Sequence, residues 1–250
     1  MTHHAADPVI GILGGMGPEA TVDLMRRVIA ATPARDDADH IHMIVDNNPA
    51  VPSRIAALID KTGADPAPAL VAMARRLRAA GATVLAMPCN TAHAYAGAIT
   101  GAVDVPLLNM IDLTAARIGQ MVLPRRRAGL LASTAVWTVG LYRTALAPLG
   151  IDLVQPQRQA DLMDIIKGVK RGETGPTARG QFARIADDLL AGGTDLLIVA
   201  CSELSVIADA LDPNAPVIDS LDVLGQEIVA HVLAARAMDH GARRATAAAS

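Results

Sequence analysis

Residues 75–89, RRLRAAGATVLAMPC, and residues 187–201, DDLLAGGTDLLIVAC, align without a gap and end on the only two cysteines of the 250-residue chain. Leu77 matches Leu189, Ala79 matches Ala191, Gly81 matches Gly193, Leu85 matches Leu197 and Cys89 matches Cys201. Each stretch reads as the end of a helix, a glycine turn and a short buried strand. A thiol then stands at the strand's end.

The matching extends outward from these two segments. RAGLLAS (127–133) echoes VIGILGG (9–15), with Gly129 opposite Gly11 and Leu131 opposite Leu13. TVGLYR (138–143) resembles TVDLMR (21–26), and APVIDSLD (215–222) echoes VPLLNMID (105–112), with Pro216 opposite Pro106 and Asp222 opposite Asp112. The pairs fall in the same order along most of the chain, which is the mark of an internal duplication. Within each half, short apolar runs such as VIGIL, IHMIV and TVLAM alternate with helix-period stretches, the pattern of βαβ units on a parallel sheet. The expected architecture is α/β: two pseudo-symmetric subdomains, each a parallel sheet flanked by helices. Residues 1–112 with 220–240 are expected to form the first and 113–219 the second. Residues 241–250 (GARRATAAAS) lack apolar periodicity and read as a frayed tail. The run Arg125, Arg126, Arg127 near the seam reads as a solvated boundary rather than an anion site.

Composition narrows the function. The chain is 52% hydrophobic, ample for a core, and its net charge of −3 is spread along the sequence, so there is no basic footprint for nucleic acid. Aromatic residues make up 2%, too few for the stacking platforms of single-strand binders. Apolar runs are far shorter than the roughly 18–20 residues of a membrane span. The opening MTHHAADPVI has no basic n-region and no apolar h-region, so no secretory signal is expected and a cytoplasmic location is. In that compartment two cysteines are expected as free thiols.

Taken singly, either cysteine reads as an inert core residue. Their matched placement, each followed by hydrogen-bonding residues (Asn90, Thr91 and Ser202, Glu203), points to function instead. Ligands of parallel α/β sheets sit beyond the carboxyl ends of the strands, where helix N-termini favour a thiolate and offer donors to a carboxylate. Two cysteines fall short of a four-ligand metal shell, and they are not in the Cys-x-x-Cys form usual for a redox pair. A Cys-His nucleophile stays open, with His93 four residues after Cys89. Two-base proton transfer accounts best for both halves: one thiolate removes a proton from a carbon and the opposite thiol returns one. The loop GILGGMGPEAT (11–21) carries a loose dinucleotide fingerprint, but Glu19 would face the phosphates; such a turn equally admits a small ligand. In DNNPAVPSR (46–54), Asn47 and Asn48 offer amide donors and Arg54 a bidentate grip on a carboxylate.

The blocks GILGGMGPEAT, NNPAVPSR, PCNTAH and ACSEL, in this order, resemble the aspartate/glutamate racemase family of cofactor-independent amino-acid racemases, specifically its aspartate racemase-like branch. The resemblance implies an active site in the cleft between the two subdomains, with Cys89 and Cys201 as catalytic bases for opposite enantiomers and no metal or other cofactor. It implies that Arg54 and Lys170, or the neighbouring Lys167, hold the substrate's side-chain carboxylate. Asn90, Thr91, Ser202 and Glu203 would bind its α-carboxylate and amino group, and Met16 would line the pocket. Ser53 stands where the family commonly has Asp, and Ser202 where it has Thr. The implied substrate is aspartate or a related acidic amino acid, and the implied assembly a homodimer. The alternatives are a broad-specificity racemase, an isomerase or decarboxylase of the same superfamily, and a non-enzymatic amino-acid sensor, against which the second thiol argues.

Overall fold

A computed structural model describes the backbone of residues 7–248 and the side chains of residues 7–238. The chain forms two four-stranded, all-parallel sheets. The first contains β1 (Ile10–Gly14), β2 (Met43–Asn47), β3 (Val84–Ala86) and β4 (Leu107–Leu108) in the order β2-β1-β3-β4; the second contains β5 (Arg127–Leu131), β6 (Asp152–Val154), β7 (Leu196–Val199) and β8 (Val217–Asp219) in the order β6-β5-β7-β8. The two orders are the same, as a duplication requires. The helices are α1 (Pro18–Ala31), α2 (Ala67–Ala79), α3 (Ala96–Thr100), α4 (Met110–Gly119), α5 (Thr134–Val139), α6 (Leu141–Leu146), α7 (Gln159–Lys170), α8 (Pro176–Ala191), α9 (Ser202–Ser205) and α10 (Ser220–Ala248).

The residues that match in sequence also match in packing. A Cβ on Gly11 would lie 2.7 Å from Ala82 Cβ and 2.8 Å from Leu85 Cδ2, with Leu77 Cβ at 3.2 Å; one on Gly129 would lie 2.9 Å from Leu189 Cδ1 and 3.0 Å from Leu197 Cδ2. Glycine is therefore required at both places, because the helix leading to the cysteine strand packs directly on the backbone of the neighbouring strand. Gly81 and Gly193 both have positive φ, 107° and 84°, the conformation glycine adopts without steric cost. The amides of Leu85 and Leu197 each donate 2.8 Å to a proline carbonyl, Pro106 and Pro216.

Strands β1, β3 and β7 are wholly buried, as expected where helices cover both faces of a parallel sheet. On the first sheet, Ile10, Ile12, Val84 and Ala86 pack with Leu24 and Val28 of α1 and with Leu221, Leu224, Ile228 and Val232 of α10. Thus the last helix crosses back onto the first sheet. Helix α4 turns Ile111, Ala115 and Ile118 to the core of the second sheet. Residues 241–248, read from sequence as a frayed tail, continue the helix α10, while residues 249 and 250 lie outside the described residues. The basic run makes a turn: the amides of Arg125 and Arg127 donate to Asp195, and the guanidinium groups of Arg126 and Arg127 to the carbonyls of Leu149 and Gly192.

Candidate active site

In each sheet the strand order reverses between its first and third strands, β1 and β3 in one and β5 and β7 in the other, and such a switch point opens a crevice at the strands' carboxyl ends. Past β1 and β3 lie Met16 and Cys89; past β5 and β7 lie Ser133 and Cys201. The two crevices face each other. Met16, Cys89, Ser133 and Cys201 line one inner cavity of about 40 Å³, together with Ser53, Arg54, Ile55, Thr91, Ile166, Lys170 and Glu203. A larger outer cavity of about 560 Å³ shares Met16, Arg54, Lys170 and Glu203 with it and continues along Gly15–Ala20, Pro49, Val169 and Val206. Both cysteines are free thiols, each 6% exposed.

The loops that carry the thiols are clamped in the same way. Four residues after each cysteine, a polar side chain turns back to the cysteine's own carbonyl: His93 Nδ1 donates to Cys89 O at 2.9 Å, and Ser205 Oγ lies 3.4 Å from Cys201 O. Each also reaches the end of the neighbouring strand, His93 Nε2 accepting from the Met110 amide at 3.1 Å and Ser205 Oγ donating to Asp219 Oδ1 at 2.7 Å. Both nitrogens of His93 are thus committed to backbone, and burial holds its pKa down at about 4. This excludes the histidine as a base for Cys89, since neither nitrogen has a free lone pair or proton to exchange with the thiol. It is a clamp.

The two thiols differ in their surroundings. Cys201 Sγ donates to Glu203 Oε2 at 3.1 Å, and Glu203 Oε1 lies 3.5 Å from Lys170 Nζ. Burial pushes the Cys201 thiol well above its ordinary value, and the charge and hydrogen bond of Glu203 push it further, against a smaller downward pull from Lys170. Cys201 therefore rests protonated. Thr91 Oγ1 and Ser133 Oγ, 3.5 Å apart, join the two halves across the cavity floor.

Arg54 reaches the cavity from the segment after β2. Its Nη1 donates to Pro52 O at 3.0 Å and Val51 O at 3.4 Å, and Nη2 to Met16 O at 3.4 Å. Its buried Nε has no partner among the described residues, and a buried donor without one costs free energy that an anionic ligand can recover. The preceding Ser53 spends its hydroxyl on the amide of Ala56. Of the two lysines on α7, Lys170 lines the cavity, while Lys167 is turned to Asp164 at 3.3 Å on the exposed face.

Not every residue expected to touch substrate is brought together here. Asn47 is exposed at the end of β2. Asn48 supports the glycine loop from beneath: its amide donates to Gly14 O, its Oδ1 accepts from Ala50 N, and a Cβ on Gly15 would meet its backbone at 2.3 Å. Asn90 is buried in contacts with Tyr142 and Ser220, and Ser202, 2% exposed in the first turn of α9, is absent from the cavity wall. Ser133 was missed, although the sequence held a signal for it. It stands opposite Gly15 when RAGLLAS is laid on VIGILGG. Among the described residues, no group of three or more His, Cys, Asp or Glu side chains stands together as a metal shell would, and no helix is long and apolar enough to cross a membrane.

The family model for Asp/Glu/Hydantoin racemases matches residues 13–228. The broad specificity amino-acid racemase RacX of Bacillus subtilis (strain 168) is 27% identical over 231 residues, covering 90% of this chain and 99% of that protein. Among solved structures, Picrophilus torridus aspartate racemase is 31% identical with a TM-score of 0.81, over 90% of this chain and 94% of that one. Glutamate racemase isoform RacE1 from Bacillus anthracis, 19% identical with a TM-score of 0.64 over 92% of this chain and 83% of that one, shares the fold. With the match running from Leu13 to Ile228 and taking in both cysteine loops, the chain belongs to the Asp/Glu/Hydantoin racemase family.

Proposed function

We propose that this amino-acid racemase interconverts L- and D-aspartate, or a closely related acidic amino acid, by two-base proton transfer between Cys89 and Cys201. One observation carries the reading: thiols from equivalent strand ends of the two halves line one cavity with Arg54 and Lys170 in its wall. The α-carbon sits in the inner cavity between the sulfurs, and the side-chain carboxylate lies toward Arg54 and Lys170, where the inner cavity meets the outer. Thr91 takes the α-carboxylate and Glu203 the ammonium group.

The reaction needs one thiolate and one thiol. With Cys201 as the thiol, Cys89 acts as the base and removes the α-proton from one face, breaking C–H and forming S–H. Cys201 then gives its proton to the opposite face, and the opposite enantiomer uses the reverse distribution. The weakly acidic α-hydrogen demands stabilisation of a carbanion-like transition state, which Arg54, Lys170 and the strand-end amides supply in a water-poor cleft. No pyridoxal phosphate or metal enters this scheme, so activity should survive hydroxylamine and EDTA. The family resemblance adds a homodimer in the cytoplasm, and light scattering on the purified protein checks the assembly.

The outer cavity favours a second reading. Its wall of Met16, Pro18, Val169 and Val206 sets no close limit on side-chain length, Ser53 replaces the family's acid beside Arg54, and RacX acts broadly. A broad-specificity racemase would use the same two thiols.

Each enantiomer of aspartate, incubated with the protein in D2O, should give the opposite enantiomer carrying solvent deuterium at the α-carbon. Binding of aspartate without α-proton exchange would leave an amino-acid sensor in place of a racemase. Racemisation of neutral amino acids but not of aspartate would select the second reading.

A further inference from the structure

Asn90 directly follows Cys89 and is 3% exposed, and both ends of its amide are occupied. Oδ1 accepts from the Tyr142 hydroxyl at 2.7 Å, and Nδ2 donates to Ser220 Oγ at 3.1 Å. Ser220 Oγ donates in turn to the carbonyl of Val199 at 3.0 Å. The directions of these bonds are mutually determined: a serine whose proton goes to a carbonyl can only accept from the amide, which leaves the amide oxygen for the phenol. Burial raises the Tyr142 pKa, so its hydroxyl stays a donor across the physiological range. Val199 ends β7, two residues before Cys201. An unbroken buried chain therefore links the residue beside one thiol to the strand that delivers the other.

We propose that Tyr142, Asn90 and Ser220 are positioning residues that set the reach between the two sulfurs, and that the Asn90 side chain does this instead of binding substrate. The proposal rests on the two-thiol reading given above. Asn90 comes from the first half and Tyr142 from the second, and Ser220 opens the helix that crosses from the second sheet back onto the first, so the chain joins the two bodies beside the thiols, as Arg27 joins them through Asp219 and the Ser205 carbonyl. Apolar contact is non-directional and sets distances loosely, whereas fully satisfied buried polar chains hold one geometry. The duplication makes the point sharper. In the alignment Asn90 corresponds to Ser202, Tyr142 to Met25 and Ser220 to Met110, and methionine offers only a weak sulfur acceptor and no donor. The relay is built on the Cys89 side alone, while Cys201 is governed by Glu203 and Lys170.

Tyr142→Phe removes the phenol's proton and leaves the ring. The relay predicts a fall in kcat of about tenfold or more in both directions, since sub-ångström misplacement of reacting groups is costly, with KM for aspartate within about twofold of the wild-type value. Ser220→Ala, which breaks the relay at another joint, should reproduce the pattern. Dibromobimane, which becomes fluorescent when it joins two nearby thiols, reads the sulfur separation without any racemase activity. Its cross-linking yield should drop in both variants at unchanged melting temperature. A wild-type protein that cross-links but does not racemise aspartate would count against the proposed substrate and not against the relay. Wild-type kcat and cross-linking in both variants, or a raised KM at unchanged kcat, would overturn the positioning role.

Discussion

The thiol of Cys201 donates a 3.1 Å hydrogen bond to Glu203, whereas Cys89 is held through its backbone, its carbonyl accepting from His93 and its amide donating to Met87 O. Two sulfurs at equivalent places in a duplicated fold are thus unequal at rest. Burial and an adjacent carboxylate act together to keep the proton on Cys201.

Removing the carboxylate's charge should move Cys201 in a known direction. In Glu203→Gln the negative neighbour is gone, the thiolate is less disfavoured, and Cys201 ionises at lower pH; Lys170→Met should move it the other way. The rate of iodoacetamide alkylation against pH, measured in a Cys89→Ala background, reads the shift. An upward or absent shift in Glu203→Gln would show that burial alone governs this thiol.

Each sulfur is assigned one proton transfer. Cys89→Ala and Cys201→Ala should each lower kcat by about 10²–10⁴, the usual worth of a positioned acid or base, in both directions of racemisation. Chiral chromatography of the product from pure L- or D-aspartate gives the measurement. If either variant kept wild-type turnover, that cysteine would have no part in the chemistry.

His93 makes stability depend on pH. Its folded pKa of about 4 lies below the ordinary 6.5 because the ring is buried and neutral. The unfolded chain therefore binds more protons than the folded one between these values. The contribution is fully present above about pH 6.5 and is lost as the pH falls toward 4, amounting to on the order of 3 kcal/mol. Urea melts of wild type and His93→Gln at pH 7.5 and 4.5 isolate it, because other titrating groups cancel in the difference. Equal losses in the two proteins would remove the histidine from the account.

Gly15 ties the glycine loop to the strand beside it. Its φ is +91°, and a Cβ would lie 2.3–2.5 Å from the backbone of Asn48, which no side-chain rotation can relieve. Gly15→Ala should cost on the order of 3 kcal/mol or more, the sum of a left-handed conformation and a backbone clash, and should lower activity because the loop forms the cavity wall. Thermal melts beside kcat/KM check both, and a silent substitution would mean that the loop shifts freely.

Gly11, Leu77, Leu85 and Cys89, with their counterparts Gly129, Leu189, Leu197 and Cys201, were enough to determine two parallel α/β halves with a thiol at the end of each third strand. Those features follow from local periodicity and close packing, which neighbouring residues encode. Arg54, Thr91 and Glu203, which lie within a few residues of strand ends, line the inner cavity. Only the tertiary structure decided that Lys170 and not Lys167 reaches the cavity, that Ser133 joins it, that Asn47, Asn48 and Ser202 stand apart, and that Asn90 is taken up by Tyr142 and Ser220. Their partners are 52 and 130 residues from Asn90 in the chain. Where a side chain points beyond a strand end depends on which distant donor or acceptor arrives there, and only the packing of the two halves brings those groups together.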